Sequence, residues 1–173
     1  MRRTLMSLSA LLLPAVVHAQ MAVGSPMVRA LRDGHASAPL PESKGAQLVA
    51  QKIREQTGSA GDVTVEFVRI VHFETQPRCG RVGYGLYQHS SRTFWGQFGG
   101  QMNICEDGAP PQRLCKGQPA LVAPDTLCQD GSRPIVVPEV QAAIARAVAS
   151  GSMTGEPFKA WFEAQHPKRG GGE

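Results

Sequence analysis

The regular hydrophobic pattern of this chain begins near Pro41, where apolar residues recur three and four positions apart, as on one face of a helix. The apolar positions are Ala46, Val49, Ala50 and Ile53. Pro41 suits a helix start and Gly58 a helix end, so we predict a helix from Pro41 to about Thr57. Residues 20–40 mix Gly, Ser, Pro and isolated apolar residues without a period, which predicts a flexible N-terminal arm.

After Gly61 the hydrophobic period falls to two, which indicates a half-buried strand. Val63, Val65 and Phe67 alternate with polar residues. Beyond them the alternation changes phase. Either a bulge near Arg69 redirects the strand, or the centre of the strand is covered on both faces.

Residues 81–88 and 93–105 carry the clearest strand pattern, and the polar stretch 89–92 predicts a hairpin turn between them. Their apolar side chains share one face only if the loop has an odd number of residues, so we expect a loop of about five. The shared core face is expected to carry Val82, Tyr84, Leu86, Phe94, Phe98, Met102 and Ile104.

This register predicts particular cross-strand pairs. Leu86 lies opposite Phe94, and Tyr84 lies over Gly96, where the missing side chain leaves room for the ring. The register also defines a polar face of the hairpin, which several glycines keep flat because they have no side chains. Its expected residues are Arg81, Tyr87, Trp95, Gln97, Gln101 and Asn103.

The segment 105–138 is rich in Pro, Gly and Asp and has no long periodic element, which predicts a cross-linked loop. A Cys-x-Asp-Gly sequence occurs in it twice, around Asp107 and Asp130. The repeat predicts two Asp-Gly turns. A calcium site built from Asp107, Asp130 and Glu106 is the alternative, because Ca²⁺ prefers oxygen ligands.

The pattern returns to helical spacing after a short apolar run, Ile135 to Val137, that predicts another strand. A helix is expected from Pro138 to Gly151. Its predicted apolar stripe is Val140, Ile144, Ala147 and Val148. A second helix carrying Phe158, Trp161 and Phe162 is expected to follow.

These elements predict an α+β fold. It consists of an N-terminal helix, a small antiparallel meander of about three strands, a disulfide-linked loop and two C-terminal helices. We expect one globular domain over residues 41–166 and a disordered tail over 167–173.

Residues 1–19 have the order of a secretory signal peptide. A basic start, Met1 to Arg3, is followed by a short apolar run and a small-residue cleavage site ending at Ala19, so Gln20 is the expected first mature residue. No segment reaches the length of a transmembrane helix. We expect a periplasmic or secreted protein, with a signal that suits a Gram-negative bacterium.

The four cysteines, Cys79, Cys105, Cys115 and Cys128, favour two disulfides in an exported chain. Their spacing lacks the closely spaced cysteine pairs of structural zinc sites. The hairpin register brings Cys79 close to Cys105, which favours Cys79–Cys105 with Cys115–Cys128. The pairing Cys105–Cys115 with Cys79–Cys128 remains an alternative.

The charge is nearly balanced once the signal is removed, because the signal holds two of the 18 Lys and Arg residues and none of the 14 acids. The remaining 16 basic and 14 acidic residues leave a net charge of +2, and the basic residues are scattered. This balance argues against a nucleic-acid partner and against electrostatic attachment to a membrane.

No catalytic motif is present, and we expect a protein without enzymatic activity, metal or cofactor. The alternative is a small exported hydrolase in which Glu74 orients His72 from two residues away on the same strand face. No G-x-S-x-G or H-E-x-x-H sequence supports such an enzyme.

The polar face of the hairpin is the better candidate site, because Trp, Tyr and Arg dominate the energy of binding surfaces. The competing interpretation is that the last helix covers this face. We expect an envelope binding protein, such as an inhibitor or immunity-type protein against a secreted hydrolase, that binds another exported protein through the hairpin and the Cys-linked loop. A carbohydrate ligand stacked on Trp95 and a structural subunit of an envelope assembly are also compatible with the sequence.

Overall fold

The computed structural model describes residues 22–151 together with Phe162 and Ala164. The expected signal peptide (1–19) and tail (167–173) lie outside these residues, as does most of the second C-terminal helix. Phe162 and Ala164 are both helical. The fold is α+β, as predicted, with two antiparallel sheets.

The segment expected to be a flexible arm contains a helix and a strand, α1 (Pro26–Asp33) and β1 (His35–Pro39). Ser25 caps α1, since its hydroxyl accepts a hydrogen bond from the Val28 amide at 3.3 Å. Gly34 ends the helix at a φ of 95°. The expectation of an unstructured arm is therefore corrected. Helix α1 is too short to show a clear hydrophobic periodicity, and only the residues at its two ends indicate it in the sequence.

Helix α2 (Lys44–Thr57) is the predicted helix, with a later start. Ser43 is its N-cap and accepts from the Ala46 amide, which explains why the helix does not begin at Pro41. Gly58 ends it in the left-handed conformation, as predicted. Ala50 and Ile53 are buried against the sheet.

The main sheet has four antiparallel strands in the order β1-β2-β3-β4, so the predicted three-strand meander gains β1 as an edge. The other strands are β2 (Val63–His72), β3 (Cys79–Gln88) and β4 (Thr93–Cys105). Of the two explanations for the change of phase in β2, the bulge is present, between Arg69 and Val71. Helices α1 and α2 pack on one face of this sheet.

The register of the hairpin differs from the prediction. Its turn has four residues, 89–92, so Leu86 pairs with Trp95 rather than with Phe94. The register then shifts, and Tyr84 pairs with Gly100 rather than with Gly96. Four residues of β4, 96–99, face a single residue of β3 across this shift.

Glycine is required at the end of this bulge. A Cβ on Gly99 would collide with the carbonyl oxygen of Tyr84, so only a residue without a side chain permits the two backbones to approach. The bulge also exposes Phe98, which was expected in the core and has 45% of its surface accessible. The alternation in the sequence could not reveal an insertion of this length.

Both favoured disulfides are present, Cys79–Cys105 and Cys115–Cys128. The register shift places Cys79 directly opposite Cys105 at the end of the hairpin. The second disulfide closes the Pro-rich loop, which contains a small sheet in the order β6-β5-β7. Its strands are β5 (Arg113–Leu114), β6 (Leu121–Val122) and β7 (Ile135–Val136).

The two Cys-x-Asp-Gly sequences form the same turn. Asp107 accepts a hydrogen bond from the Ala109 amide, and Asp130 accepts one from the Ser132 amide, both at 2.9 Å. Each turn follows a disulfide cysteine and has its glycine at positive φ. Both aspartates therefore act within their own turns, as the Asp-Gly prediction requires.

Helix α3 (Pro138–Ala149) confirms the first predicted C-terminal helix, and its buried stripe agrees with the prediction at Val140 and Ala147 only. Val140, Ala143 and Ala147 are buried, whereas Ile144 and Val148 are exposed to 37% and 68%. The small alanines allow α3 to approach the neighbouring elements closely. In residues 22–151, no helix is long and apolar enough to cross a membrane.

The second disulfide should stabilise the loop through the entropy of the unfolded chain. Replacing Cys115 and Cys128 together with alanine should lower the free energy of unfolding by about 3 kcal/mol. Chemical denaturation of the oxidised protein measures this change. An unchanged denaturation midpoint would show that the loop is held by its other contacts alone.

The bulge can be tested at Gly99. Gly99→Ala should lower the free energy of unfolding by about 1–3 kcal/mol, because the new Cβ forces the strands apart. Gly45→Ala is the control, since nothing lies within 4 Å of a Cβ there and α2 should gain up to about 1 kcal/mol. Equal effects in thermal or chemical denaturation would contradict the proposed packing of the bulge.

Candidate functional site

Three of the six predicted binding residues form one hydrogen-bonded cluster. Arg81 on β3 donates from Nε to Gln101 Oε1 at 2.6 Å and from Nη1 to Asn103 Oδ1 at 2.8 Å. Asn103 is its direct partner across the strands, and Gln101 lies two residues along β4. The hairpin register thus brings together an arginine and two amides that the sequence also placed on one face.

The Arg81 side chain is unusual because it is a buried charge held by neutral groups. The residue is 7% exposed, and no ion pair joins it to a carboxylate in the described part of the chain. Burial lowers the pKa of the guanidinium below its ordinary value. An arginine nevertheless stays charged, so the cluster keeps a positive charge inside the protein.

Two cavities meet at Arg81 and Gln101. One, of about 330 Å³, lies between the sheet and α3 and is lined by Arg146 and Ser150. The other, of about 370 Å³, lies between β4, the disulfide-linked loop and α3. We call the second cavity the hairpin–loop groove. Its remaining lining residues are Met102, Asn103, Pro110, Pro111, Gln112, Arg113, Val136, Val140 and Ile144.

Buried Gln76 holds the disulfide-linked loop in position beside the hairpin. Its side-chain oxygen accepts from the Gln112 amide at 2.7 Å, and its side-chain nitrogen donates to the Gln112 carbonyl at 3.2 Å. Gln76 therefore pairs with the loop as a strand would. This contact fixes one wall of the groove.

Tyr87 lies on the same sheet face as Arg81 but is covered. Its ring centroid is 4.3 Å from that of Phe162, which also packs at 5.1 Å against Phe94. Tyr87 is only 2% exposed. At this end of the hairpin Phe162 covers Tyr87, in agreement with the competing interpretation of the polar face.

Trp95 and Gln97 are separated from the cluster. Trp95 pairs with Leu86 and packs on the α2 side of the sheet, because the four-residue turn reverses the face expected for it. Its indole Nε1 is buried and has no hydrogen-bond partner among the described residues. Gln97 is exposed on the bulge. The predicted six-residue face is thus divided among four places: the Arg81 cluster, the covered Tyr87, the α2 side with Trp95, and the bulge with Gln97.

His72 and Glu74 are not organised as a catalytic pair. Both side chains are exposed, and no hydrogen bond joins them in the part of the chain that the structure describes. The backbone amide of Glu74 donates to Glu139 at the start of α3. That contact attaches the end of β2 to α3.

A buried carboxylate, Glu66, was not singled out as a site residue by the sequence. It is 2% exposed and accepts hydrogen bonds from Thr64 at 2.6 Å and from Ser37 and His35 at 2.8 Å each. His89 Nε2 lies 3.7 Å from Glu66 Oε1. The signal in the sequence was an acid in the middle of an apolar strand, but its partners on β1 lie about thirty residues away.

The electrostatics of Glu66 favour a structural role. Burial raises its pKa, but the hydrogen bonds from Thr64, His35 and Ser37 outweigh burial, so the pKa lies below its ordinary value. A carboxylate that stays ionised and accepts several hydrogen bonds is poorly suited to donate a proton to a substrate. Glu66 instead ties the edge strand β1 to β2.

Comparisons with known proteins found no relative of this chain. No family model matches the chain, no curated protein matches it, and no solved structure matches its fold. The geometry of the cluster and the groove is therefore the basis for assigning a function.

Glu66 should make stability depend on pH. Because its pKa is lowered by folding, its contribution is present above about pH 4.3, the range of an unperturbed glutamate, and is lost as the pH falls through the folded pKa. Glu66→Gln should cost about 1–3 kcal/mol at pH 7, and the difference from wild type should shrink in acid. Urea denaturation at several pH values measures this.

Glu42→Gln provides the matched control, since Glu42 is exposed. Its stability curve should follow that of the wild type throughout. A constant difference between wild type and Glu66→Gln from pH 7 into the acid range would show that the lost stability comes from packing and not from the charge of Glu66.

Proposed function

We propose that this protein is an exported binding protein without catalytic activity, and that it recognises another exported protein through the hairpin–loop groove. The observation that supports this most strongly is the groove itself. It joins β4 to the disulfide-linked loop, the two parts of the chain expected to bind, and it has a buried arginine in its wall.

The construction of the groove supports recognition. Each of its walls is fixed: β4 by pairing with β3, the loop by Gln76 and the Cys115–Cys128 disulfide, and α3 by its buried alanines. A preformed concave surface loses little conformational entropy when a partner binds. Apolar side chains beside a few polar groups are typical of binding sites.

The two disulfides support export. Disulfides persist in the periplasm and outside the cell, and they are rare in the cytoplasm. Cys115–Cys128 also holds the loop that forms one wall of the groove. Cys79–Cys105 closes the end of the hairpin that carries Arg81. A binding protein of this type would function in the envelope, where the expected signal peptide would deliver it.

The narrower version of the proposal is an inhibitor or immunity-type protein against a secreted hydrolase. A rigid, disulfide-linked surface suits this role, because the interface backbone of protease–inhibitor complexes moves little on binding. A hydrolase that uses His72 and Glu74 gains no support from the positions of those side chains, and carbohydrate stacking gains none from the position of Trp95. A structural subunit of an envelope assembly, docked through the N-terminal segment or the last helix, is a separate alternative that the groove does not favour.

Substitution at the edge of the groove tests the proposal. Ile144→Glu should abolish capture of a stoichiometric partner from envelope and secreted proteins, because the new carboxylate would have to be desolvated at the interface. Val148→Glu is the matched control: it changes an exposed aliphatic residue one turn further along α3, outside the groove. Quantitative mass spectrometry of the captured proteins provides the measurement.

The disulfide-bonded protein serves as bait, and its circular dichroism confirms that both variants fold. A partner retained by Val148→Glu and lost with Ile144→Glu supports the groove. A partner retained by both variants places the interface elsewhere and contradicts the proposal.

A further inference from the structure

The Arg81 guanidinium has the properties of an incomplete ion pair. A buried charge is costly unless an opposite charge and hydrogen bonds compensate for the loss of water. Gln101 and Asn103 supply two hydrogen bonds but no negative charge. A cation that served only the fold would be expected to have a carboxylate beside it.

Donor capacity remains on this side chain. Arginine has five N–H donors, and hydrogen bonds to described residues use Nε and one N–H of Nη1. The two amide oxygens hold the guanidinium plane in place, so its unused edge has a fixed orientation. A fixed planar edge of this kind matches a carboxylate, which can accept two parallel hydrogen bonds.

The charge around Arg81 is of one sign. The charged residues that line the hairpin–loop groove are Arg81 and Arg113, and those that line the cavity on the other side are Arg81 and Arg146. No Asp or Glu lines either cavity among the residues described. The nearest acid on α3, Glu139, uses both carboxylate oxygens to bind the amides of Glu74 and Thr75.

The hairpin–loop groove also has an apolar lining. Val136, Val140 and Ile144 come from β7 and α3, and Pro110 and Pro111 come from the loop. A free inorganic anion gains nothing from such walls, whereas a carboxylate carried on an aliphatic chain would contact them. The groove is therefore complementary to an acidic side chain or a C-terminal carboxylate with apolar neighbours.

We propose that Arg81, assisted by Arg113, binds a carboxylate of the partner protein in the hairpin–loop groove. This inference rests on the proposed function and adds the chemistry of recognition to it. The partner's carboxylate completes the ion pair that the chain itself leaves open. Arg81 is then the buried anchor, and the apolar walls select for the residues next to the acid.

A small acid can stand in for the partner. We would titrate the disulfide-bonded protein with 4-methylpentanoate at constant ionic strength and follow the Arg81 Nε–H signal by NMR. The neutral amide, 4-methylpentanamide, controls for apolar contact alone. We expect a saturable shift with the acid and none with the amide, and a Kd in the millimolar range, because the acid reproduces only one group of the interface.

Two exposed or half-exposed arginines identify the side of Arg81 on which the acid binds. Arg113→Met, in the groove, should weaken binding about two- to fivefold. Arg146→Met, in the opposite cavity, carries the same charge change and should leave the Kd unchanged. Both substitutions spare the buried Arg81, so the experiment does not depend on a variant that fails to fold.

Five results would overturn the inference. Four of them are a signal that does not move, an equal response to acid and amide, tighter binding of inorganic phosphate than of the acid, and weakening by Arg146→Met instead of Arg113→Met. The fifth is a micromolar Kd for the free acid, which would identify a small-molecule ligand and overturn the assignment to a partner protein. Since the titration contains no partner, its failure leaves the effect of Ile144→Glu on capture intact, and the two proposals can fail separately.

Discussion

The rest of the structure depends on the register shift within the β3–β4 hairpin. Four residues of β4 face one residue of β3 at the bulge 96–99, and Gly99 permits the close approach that this requires. Beyond the shift, Cys79 lies opposite Cys105 and can form the disulfide that fixes the end of the hairpin. The bulge and the disulfide thus specify the same pairing, and each makes a slipped register less favourable.

The same shift creates the candidate site. It places Asn103 directly across from Arg81 and Gln101 within hydrogen-bond distance, so the guanidinium is oriented before any ligand arrives. Without it, the residues on one face of β4 would move relative to β3, and Arg81 would lose the two amide oxygens. A buried charge that is held in place but not neutralised is the feature on which recognition by an anionic group would depend.

The sequence predicted the local elements well and their long-range arrangement less well. Helix α2, the bulge in β2, the two Asp-Gly turns and the favoured disulfide pairs follow from spacing and turn chemistry within a few residues or from the approximate hairpin register. Helix α1 was missed although Ser25, Pro26 and Gly34 mark both of its ends, because one face of eight residues gives little periodicity. In the candidate site, Arg81, Gln101 and Asn103 could be found from the sequence, whereas Glu66 and the groove could not.

By itself, the sequence determined helices α2 and α3, strands β2 to β4, most of the turns, and that the cysteines pair as two disulfides, since propensity, capping and alternation act over short distances. Tertiary structure alone decided the face on which Trp95 lies, the recruitment of β1 to the sheet and the meeting of the loop with β4. These depend on the sum of contacts between distant residues. A one-residue change in turn length reverses a strand's faces without altering its hydrophobic pattern.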